Sequence, residues 1–206
     1  MNKKRRKEYA VINNYRKTAK KELKKISLAG ILLALGLVLP FLTGQLPDIG
    51  NMLLPLHLPV LIAGFSLGGG YGMLVGAMLP LLRSLLFGMP ALFPKAVTYA
   101  FELATYGLVS GFLYSLLTKF ATRVKKYSMI YEVFAVYLSL LCAMLSGRVV
   151  FGIVTLIIFS LSGSAVSLEY IITETVFLAI PGIILQLIAI PLLVLTLRRA
   201  KLLPIH

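Results

Sequence analysis

The chain has 206 residues, of which 59% are hydrophobic, and its mean hydropathy is +0.92. A water-soluble domain is normally about 45–50% apolar. The excess of apolar residues here lies in runs of about 17–30 residues, which can cross the hydrocarbon of a bilayer as helices. The composition therefore excludes a soluble globular protein. The net charge of +14 also does not indicate a nucleic-acid-binding protein, because the basic residues gather at the chain ends and in one loop rather than in a groove-lining patch.

The apolar runs predict an all-α integral membrane bundle of six transmembrane helices. We expect a basic N-terminal segment (residues 1–25), a transmembrane domain (26–199) and a C-terminal tail (200–206). Proline is tolerated in the first turns of helix 2, where Pro55 and Pro59 lie, and Pro181 and Pro191 predict kinks in helix 6. In chain order, the six predicted helices cover residues 26–44, 52–67, 71–87, 95–119, 129–159 and 169–197.

The distribution of basic residues predicts the orientation of the bundle. Of the 21 lysines and arginines, eleven lie in the first 25 residues, four between Lys119 and Lys126, and three in the tail that begins at Arg198. With six spans, these three segments fall on one side of the membrane, and the loops at 45–51, 88–94 and 160–168 fall on the other. The positive-inside rule therefore predicts that both termini are cytosolic and that the basic segment contacts anionic headgroups.

The other ionisable residues are predicted to gather in the outer half of the bundle. Each charge near the centre of a membrane helix costs about 2.5–3.5 kcal/mol on insertion, so a group of them at one depth indicates a function. The basic and acidic members of this group are Arg83, Lys95, Arg148, Asp48, Glu102, Glu169 and Glu174.

Helix 4 carries a polar stripe that must face protein or a water-filled cavity. Lys95, Thr98, Glu102 and Thr105 recur at helical spacing on one face. The predicted ligand-binding residues are Arg83, Lys95, Thr98, Tyr99, Glu102, Tyr106, Arg148 and His57. Two alternatives stay open at this point: the charges form structural ion pairs, such as Arg83 with Glu102, or Lys95 and Glu169 extend to the membrane interface.

Sequence motifs of the common enzyme classes are absent. There is no G-x-x-x-x-G-K-[ST], H-E-x-x-H, G-x-S-x-G or C-x-x-C, and Cys142 is the only cysteine. We therefore expect a non-catalytic protein without a metal or cofactor. An autonomous secondary transporter is the alternative function, although such transporters usually carry an internal repeat that this chain lacks.

Four stretches resemble the substrate-binding S components of energy-coupling factor (ECF) transporters. They are Leu-Pro-Leu-His-Leu-Pro-Val-Leu-Ile-Ala-Gly-Phe at 54–65, the glycine turn at 68–72, Pro-Leu-Leu-Arg-Ser-Leu-Leu-Phe-Gly-Met-Pro at 80–90 and Phe-Glu-Leu-Ala-Thr-Tyr-Gly at 101–107. The resemblance implies a six-helix protein of a prokaryotic cell membrane that binds a vitamin near the extracellular face. It also implies docking on a membrane coupling subunit that two cytosolic ATPases drive.

In the family that the chain resembles, a small-residue motif in helix 1 contacts the coupling subunit, and Gly30 and Ala34 are the nearest match. The pairs Gly64/Gly68, Gly72/Gly76 and Gly107/Gly111 are predicted to serve internal helix packing. For the vitamin, three basic side chains in the outer half favour an anion such as pantothenate. The tyrosines and Glu102 equally suit pyridoxine, hydroxymethylpyrimidine or a cobalamin precursor.

Overall fold

The computed structural model describes residues 3–42, 54–123, 129–161, 173 and 179–200, and these residues are almost entirely helical. The predicted all-α class is therefore confirmed for the described part of the chain. Five helices are long and apolar enough to cross a membrane, whereas α2, with 11 residues, is shorter. The helices are α1 (Lys3–Leu42), α2 (His57–Leu67), α3 (Gly69–Phe87), α4 (Val97–Arg123), α5 (Met129–Leu161) and α6 (Ile180–Arg199).

α1 begins at Lys3 and continues for 40 residues, so the predicted basic segment and the predicted first span, which starts near Ile26, form one continuous helix. Hydropathy marks where a helix enters the membrane and not where it starts. The segment before Ile26 holds eleven lysine and arginine residues, which favour helix, and the first 29 residues contain neither glycine nor proline. The predicted basic segment is thus the first part of α1.

The remaining helix bounds follow the prediction with local differences. α3 and α5 agree with it to within about two residues, whereas α4 begins at Val97. It follows the turn Leu92–Ala96, which contains Lys95 and in which the backbone of Phe93 is extended. Of the helix predicted over 169–197, the described part is α6, which runs from Ile180 with Pro181 in its first turn, where proline fits. Most of residues 169–178 lie outside the described residues, as does the predicted loop at 45–51.

Glycines bring α2, α3 and α4 to backbone contact. Gly68 alone connects α2 to α3, at a φ of 96° that glycine adopts without strain. A Cβ placed on Gly72 or Gly76 would overlap the backbone of α4 at Gly107 or Leu103. The prediction that these small residues serve internal packing is confirmed, and α3 runs antiparallel to α4 at the closest distance that two helices allow.

α1 and α6 complete the bundle at its edges. The buried Leu32, Gly36 and Pro40 turn one face of α1 toward α2 and α3, and a Cβ on Gly36 would overlap the Leu79 side chain. α6 contacts α2 and α5. We call the end of the bundle that carries Lys119, Arg123, Arg198 and Arg199 the basic end.

Candidate functional site

Glu102 is the centre of a buried polar cluster between α2, α4 and α5. Its side chain is fully buried, and its Oε1 lies 2.9 Å from Nη1 of Arg148 on α5. His57, which opens α2, places Nε2 3.5 Å from the same oxygen. That approach lacks hydrogen-bond geometry, so we treat it as an electrostatic contact. We call His57, Glu102, Tyr106 and Arg148 the polar cluster.

Tyr106 lies one helical turn from Glu102 and closes the cluster on its inner side. Its ring is fully buried and meets the His57 ring edge to face, with centroids 4.8 Å apart. On the other side the ring lies directly on Gly147 of α5, where a Cβ would overlap it. Glycine at position 147 therefore makes room for a tyrosine in the middle of the bundle.

Several polar atoms of the cluster have no hydrogen-bond partner within the described residues. They include Nδ1 of His57, Oε2 of Glu102, the Tyr106 hydroxyl, and Nε and Nη2 of Arg148. Each buried polar group left unpaired costs about 1–3 kcal/mol. The cluster consequently offers donors and an acceptor to water or to polar groups of a ligand.

A cavity of about 270 Å³ lies between α4 and α5 at the end opposite the basic end. Tyr99 and Phe151 form part of its wall, with nearly parallel rings whose centroids are 5.8 Å apart. The Thr98 hydroxyl donates to the Pro94 carbonyl, whereas the Thr155 hydroxyl is buried and has no partner in the described part of the chain. The cavity is lined by Ala91, Pro94, Lys95, Thr98, Tyr99, Phe151, Thr155 and Phe159.

Helical spacing connects this cavity with the polar cluster. On α4, Glu102 follows Thr98 by one turn on the same face, and on α5, Arg148 precedes Phe151 by one turn. The ion pair between Glu102 and Arg148 therefore lies one turn deeper than the cavity lining. The residues Thr98 and Glu102 of α4 thus face Arg148 and Phe151 of α5 across the interface between the two helices. A ligand-binding site between two helices requires such an arrangement.

The structure brings together seven of the eight predicted binding residues, three at the cavity and four in the polar cluster. Arg83 lies elsewhere: its Nη1 donates to the Leu37 carbonyl at 3.0 Å, and its guanidinium lies 5.4 Å and 5.7 Å from the Phe41 and Phe87 ring centroids. The considered pairing of Arg83 with Glu102 is wrong, because Glu102 pairs with Arg148.

Helix geometry explains the separation of Arg83 from the polar cluster. Gly76 lies opposite Leu103, and Arg83 follows Gly76 by seven residues, which carries it about 10 Å further along the bundle. Asp48, Glu169 and Glu174, which were predicted at the same depth, lie outside the described residues.

The comparison with protein families decides the identity of the chain. A family model described as "ECF transporter, substrate-specific component" matches residues 24–197, which is most of the sequence. The chain belongs to this family. No curated protein and no solved structure matches it significantly. Substrate-specific components, or S components, are generally non-catalytic binding subunits that associate with a membrane subunit and ATPases, so this chain is a substrate-specific transporter subunit of the membrane.

A second polar contact of the S component joins three helices at the basic end. Arg198 of α6 lies 2.7 Å from Oε1 of Glu132 on α5, and it donates to the Tyr114 hydroxyl of α4 at 2.7 Å. These groups satisfy one another. Half-buried charges of this S component therefore also serve helix packing away from the cavity, and this contact joins α6 to α4 and α5.

Gln186 is a polar residue of the S component that the sequence reasoning missed. Its side chain is fully buried, and neither Oε1 nor Nε2 has a partner among the described residues. Gln186 precedes Arg198 by twelve residues on α6, and Glu102 precedes Tyr114 by twelve residues on α4. Because Arg198 and Tyr114 are hydrogen-bonded at the basic end, Gln186 and Glu102 each lie about 18 Å from that contact, at a similar depth in the bundle. The sequence feature that could have indicated this residue is a single glutamine within an otherwise apolar predicted helix.

Proposed function

We propose that this S component captures a water-soluble vitamin in the α4–α5 cavity and delivers it to a membrane coupling subunit that two cytosolic ATPases drive. The family assignment supports a binding subunit, and the cavity supports a small organic ligand. The positive-inside rule places the basic end in the cytoplasm of a prokaryotic cell. The cavity then opens toward the outside, and both termini are cytoplasmic.

The observation that carries the proposal is the chemistry of the cavity wall. Most of the wall is apolar, two threonines contribute hydroxyls, and Lys95 is the single charged residue. A mostly apolar pocket with a few polar groups is typical of sites for small organic molecules. A cation among apolar walls favours an organic anion with a short aliphatic or planar body.

Pantothenate is the vitamin that we favour for this site. Its carboxylate would pair with the Lys95 ammonium, and its hydroxyl and amide groups would bond to the Thr98 and Thr155 side chains. The Phe151 ring would cover its dimethyl group. Pyridoxine, hydroxymethylpyrimidine or a cobalamin precursor would instead use the Tyr99 and Phe151 rings for stacking and would leave Lys95 without a charged partner.

The polar cluster is proposed as the inner floor of the binding site. Two nitrogen atoms of Arg148, Nε and Nη2, have no acceptor among the described residues, and Oε1 of Glu102 lies 2.9 Å from Nη1 of the same guanidinium. Polar ligand atoms that reach past Phe151 would meet these donors. Arg83, in contrast, is assigned to holding α1 against the end of α3.

Gly30 and Ala34 are proposed to contact the coupling subunit. Both are exposed on α1, and no atom of the described residues lies within 4 Å of a Cβ placed on Gly30. Small exposed residues spaced by four allow another helix to approach closely within a membrane.

Calorimetric titration of the purified protein in detergent, without ATP, tests this function. We expect tight binding of pantothenate and weak or absent binding of pyridoxine and hydroxymethylpyrimidine. Native mass spectrometry of protein from vitamin-rich medium provides an independent readout, because a retained ligand is identified by its mass. Failure of every vitamin to bind in both measurements would refute the proposal.

A further inference from the structure

We propose that one face of α1 is a docking seam for an acidic helix of the coupling assembly, and that this seam extends beyond the membrane along the basic part of α1. The inference rests on the proposed function and extends the contact assigned there to Gly30 and Ala34. Apolar residues on this face recur at intervals of three or four, which places them on one side of a helix. The α1 seam consists of Ile12, Tyr15, Ala19, Leu23 and Ile26, and it continues to Gly30 and Ala34.

The large side chains of the α1 seam are uncovered in the described part of the chain. The exposed fractions are 49% for Ile12, 74% for Tyr15, 62% for Leu23 and 58% for Ile26. α1 meets the bundle through a different face, on which Leu32, Gly36 and Pro40 are buried. A row of apolar residues that follows one helix face for about six turns is typical of helix–helix packing.

The length of α1 places half of the seam outside the bilayer. Glu22 accepts a hydrogen bond from the Tyr71 hydroxyl near the start of α3, and Phe41 packs on Phe87 at the end of α3. The residues between these two contacts span about 30 Å, the thickness of the hydrocarbon. The helix before Glu22 continues for about 28 Å and carries Ile12 and Tyr15 away from the membrane.

Lipid is an unsuitable occupant for this outer half of the seam. A helix that leaves the bilayer and then lies on its surface must bend sharply, and sharp bends occur mainly at proline or glycine. α1 has neither before Gly30 and is one continuous helix from Lys3. The seam therefore leaves the membrane with the helix axis, and lipid covers only its inner half.

Charge distinguishes the two remaining candidates for the partner of the α1 seam, which are a second copy of this chain and a helix of a different chain. The first 25 residues hold eleven basic and two acidic residues, and Arg16 and Lys20 border the seam. Two parallel copies would bring these charges together and repel each other, whereas an acidic helix would be attracted to them. A single partner helix that runs from the membrane into the cytoplasm would contact Gly30 and Ala34 at one end and Tyr15 at the other.

Site-directed photocrosslinking in the intact assembly tests the seam. In a Cys142→Ser background, single cysteines at Ile12, Tyr15 and Leu23 carry a thiol-linked photocrosslinker, and the protein is co-expressed with its host's coupling subunit and ATPases. Asn13→Cys is the matched control, because it lies two residues from Tyr15 and thus about 200° around the helix. We expect crosslinks to the coupling assembly from the three seam positions and loss of most of that product at position 13.

Affinity measurements provide the second arm of the test. Tyr15→Ala/Leu23→Ala is expected to weaken binding to the coupling assembly about a hundredfold, since each truncated interface anchor costs about tenfold, while Asn13→Ala/Asn14→Ala leaves it unchanged. Equal crosslinking from all positions, crosslinks between two copies, or unchanged affinity of the seam variant would each overturn the inference. Vitamin binding by the isolated S component is measured in parallel, so that a failure of the proposed function is seen separately.

Discussion

The two faces of α4 make opposite kinds of contact. Toward α2 and α3, Gly107 and Gly111 bring backbones together without space for a methyl group. Toward α5, Glu102 and Tyr106 have polar atoms without a partner among the described residues, and a cavity opens one turn away. One helix thus separates a face that fixes the fold from a face that can bind a ligand, and the sequence encodes the difference as glycines on one side and polar or aromatic residues on the other.

Gly107→Val is expected to have the largest effect, because the new side chain would overlap the backbone of α3 at Gly72. Forcing extra atoms into a packed interface costs about 3 kcal/mol or more where the backbone cannot move. Thermal unfolding in detergent should show a large loss of stability or no folded protein. The matched control is Gly30→Val, where the described part of the chain places no atom within 4 Å of the added Cβ. Equal stability of the two variants would contradict the comparison.

Glu102→Leu is expected to destabilise the other face by about 3–5 kcal/mol, because it leaves the Arg148 guanidinium buried without its counter-charge. The double variant Glu102→Leu/Arg148→Met removes both charges and should recover most of that stability. Calorimetric binding should remain impaired in the double variant if the cluster serves the ligand. Unchanged ligand affinity in a stable double variant would show that Glu102 and Arg148 form a structural ion pair that does not contribute to ligand binding.

Lys95→Gln is expected to leave stability unchanged, since Lys95 is exposed at the cavity. Loss of one charge-assisted contact should weaken pantothenate binding about tenfold. The affinity for a neutral vitamin should stay the same, which makes the variant a test of ligand charge. A similar loss for pyridoxine would indicate a change of cavity shape instead.

Gln186→Leu is expected to change the stability by less than about 1 kcal/mol, because the amide has no partner to lose among the described residues. Binding affinity is the sensitive readout for this variant. A decrease would assign Gln186 to the ligand, whereas unchanged affinity would separate it from the polar cluster. Leu187→Ala, at the next position of α6, controls for general effects on helix packing.

The sequence predicted the class of fold and the polar stripe of α4 because both depend on local periodicity. Long apolar runs define helices, and Lys95, Thr98 and Glu102 share a face by spacing alone. The pairing of Glu102 with Arg148 rather than Arg83 was not predictable in this way. It depends on the offset between α3 and α4, which the contact of Gly76 with Leu103 sets, and no local pattern reports that offset.

The full length of α1 and the role of Gln186 were not predicted, for different reasons. Hydropathy describes transfer into lipid, so it marks the start of the membrane span near Ile26 and does not show that the helix itself begins at Lys3. Gln186 was overlooked because the sequence reasoning followed charged residues and gave neutral amides no weight. Unpaired amides in an apolar interior are costly as well, and they deserve the same scrutiny in similar sequences.

The connection through Gly68 has a consequence for how the cavity exchanges its contents. With a single residue between them, α2 and α3 cannot swing apart, and glycine contacts join both to α4, so these three helices form a rigid half of the molecule. α5, in contrast, meets α4 through side chains, with Tyr106 packed on Gly147 and the cavity at one end of the contact. If the cavity binds a ligand, we therefore expect α5 to move more than α2 and α3 when the ligand enters or leaves.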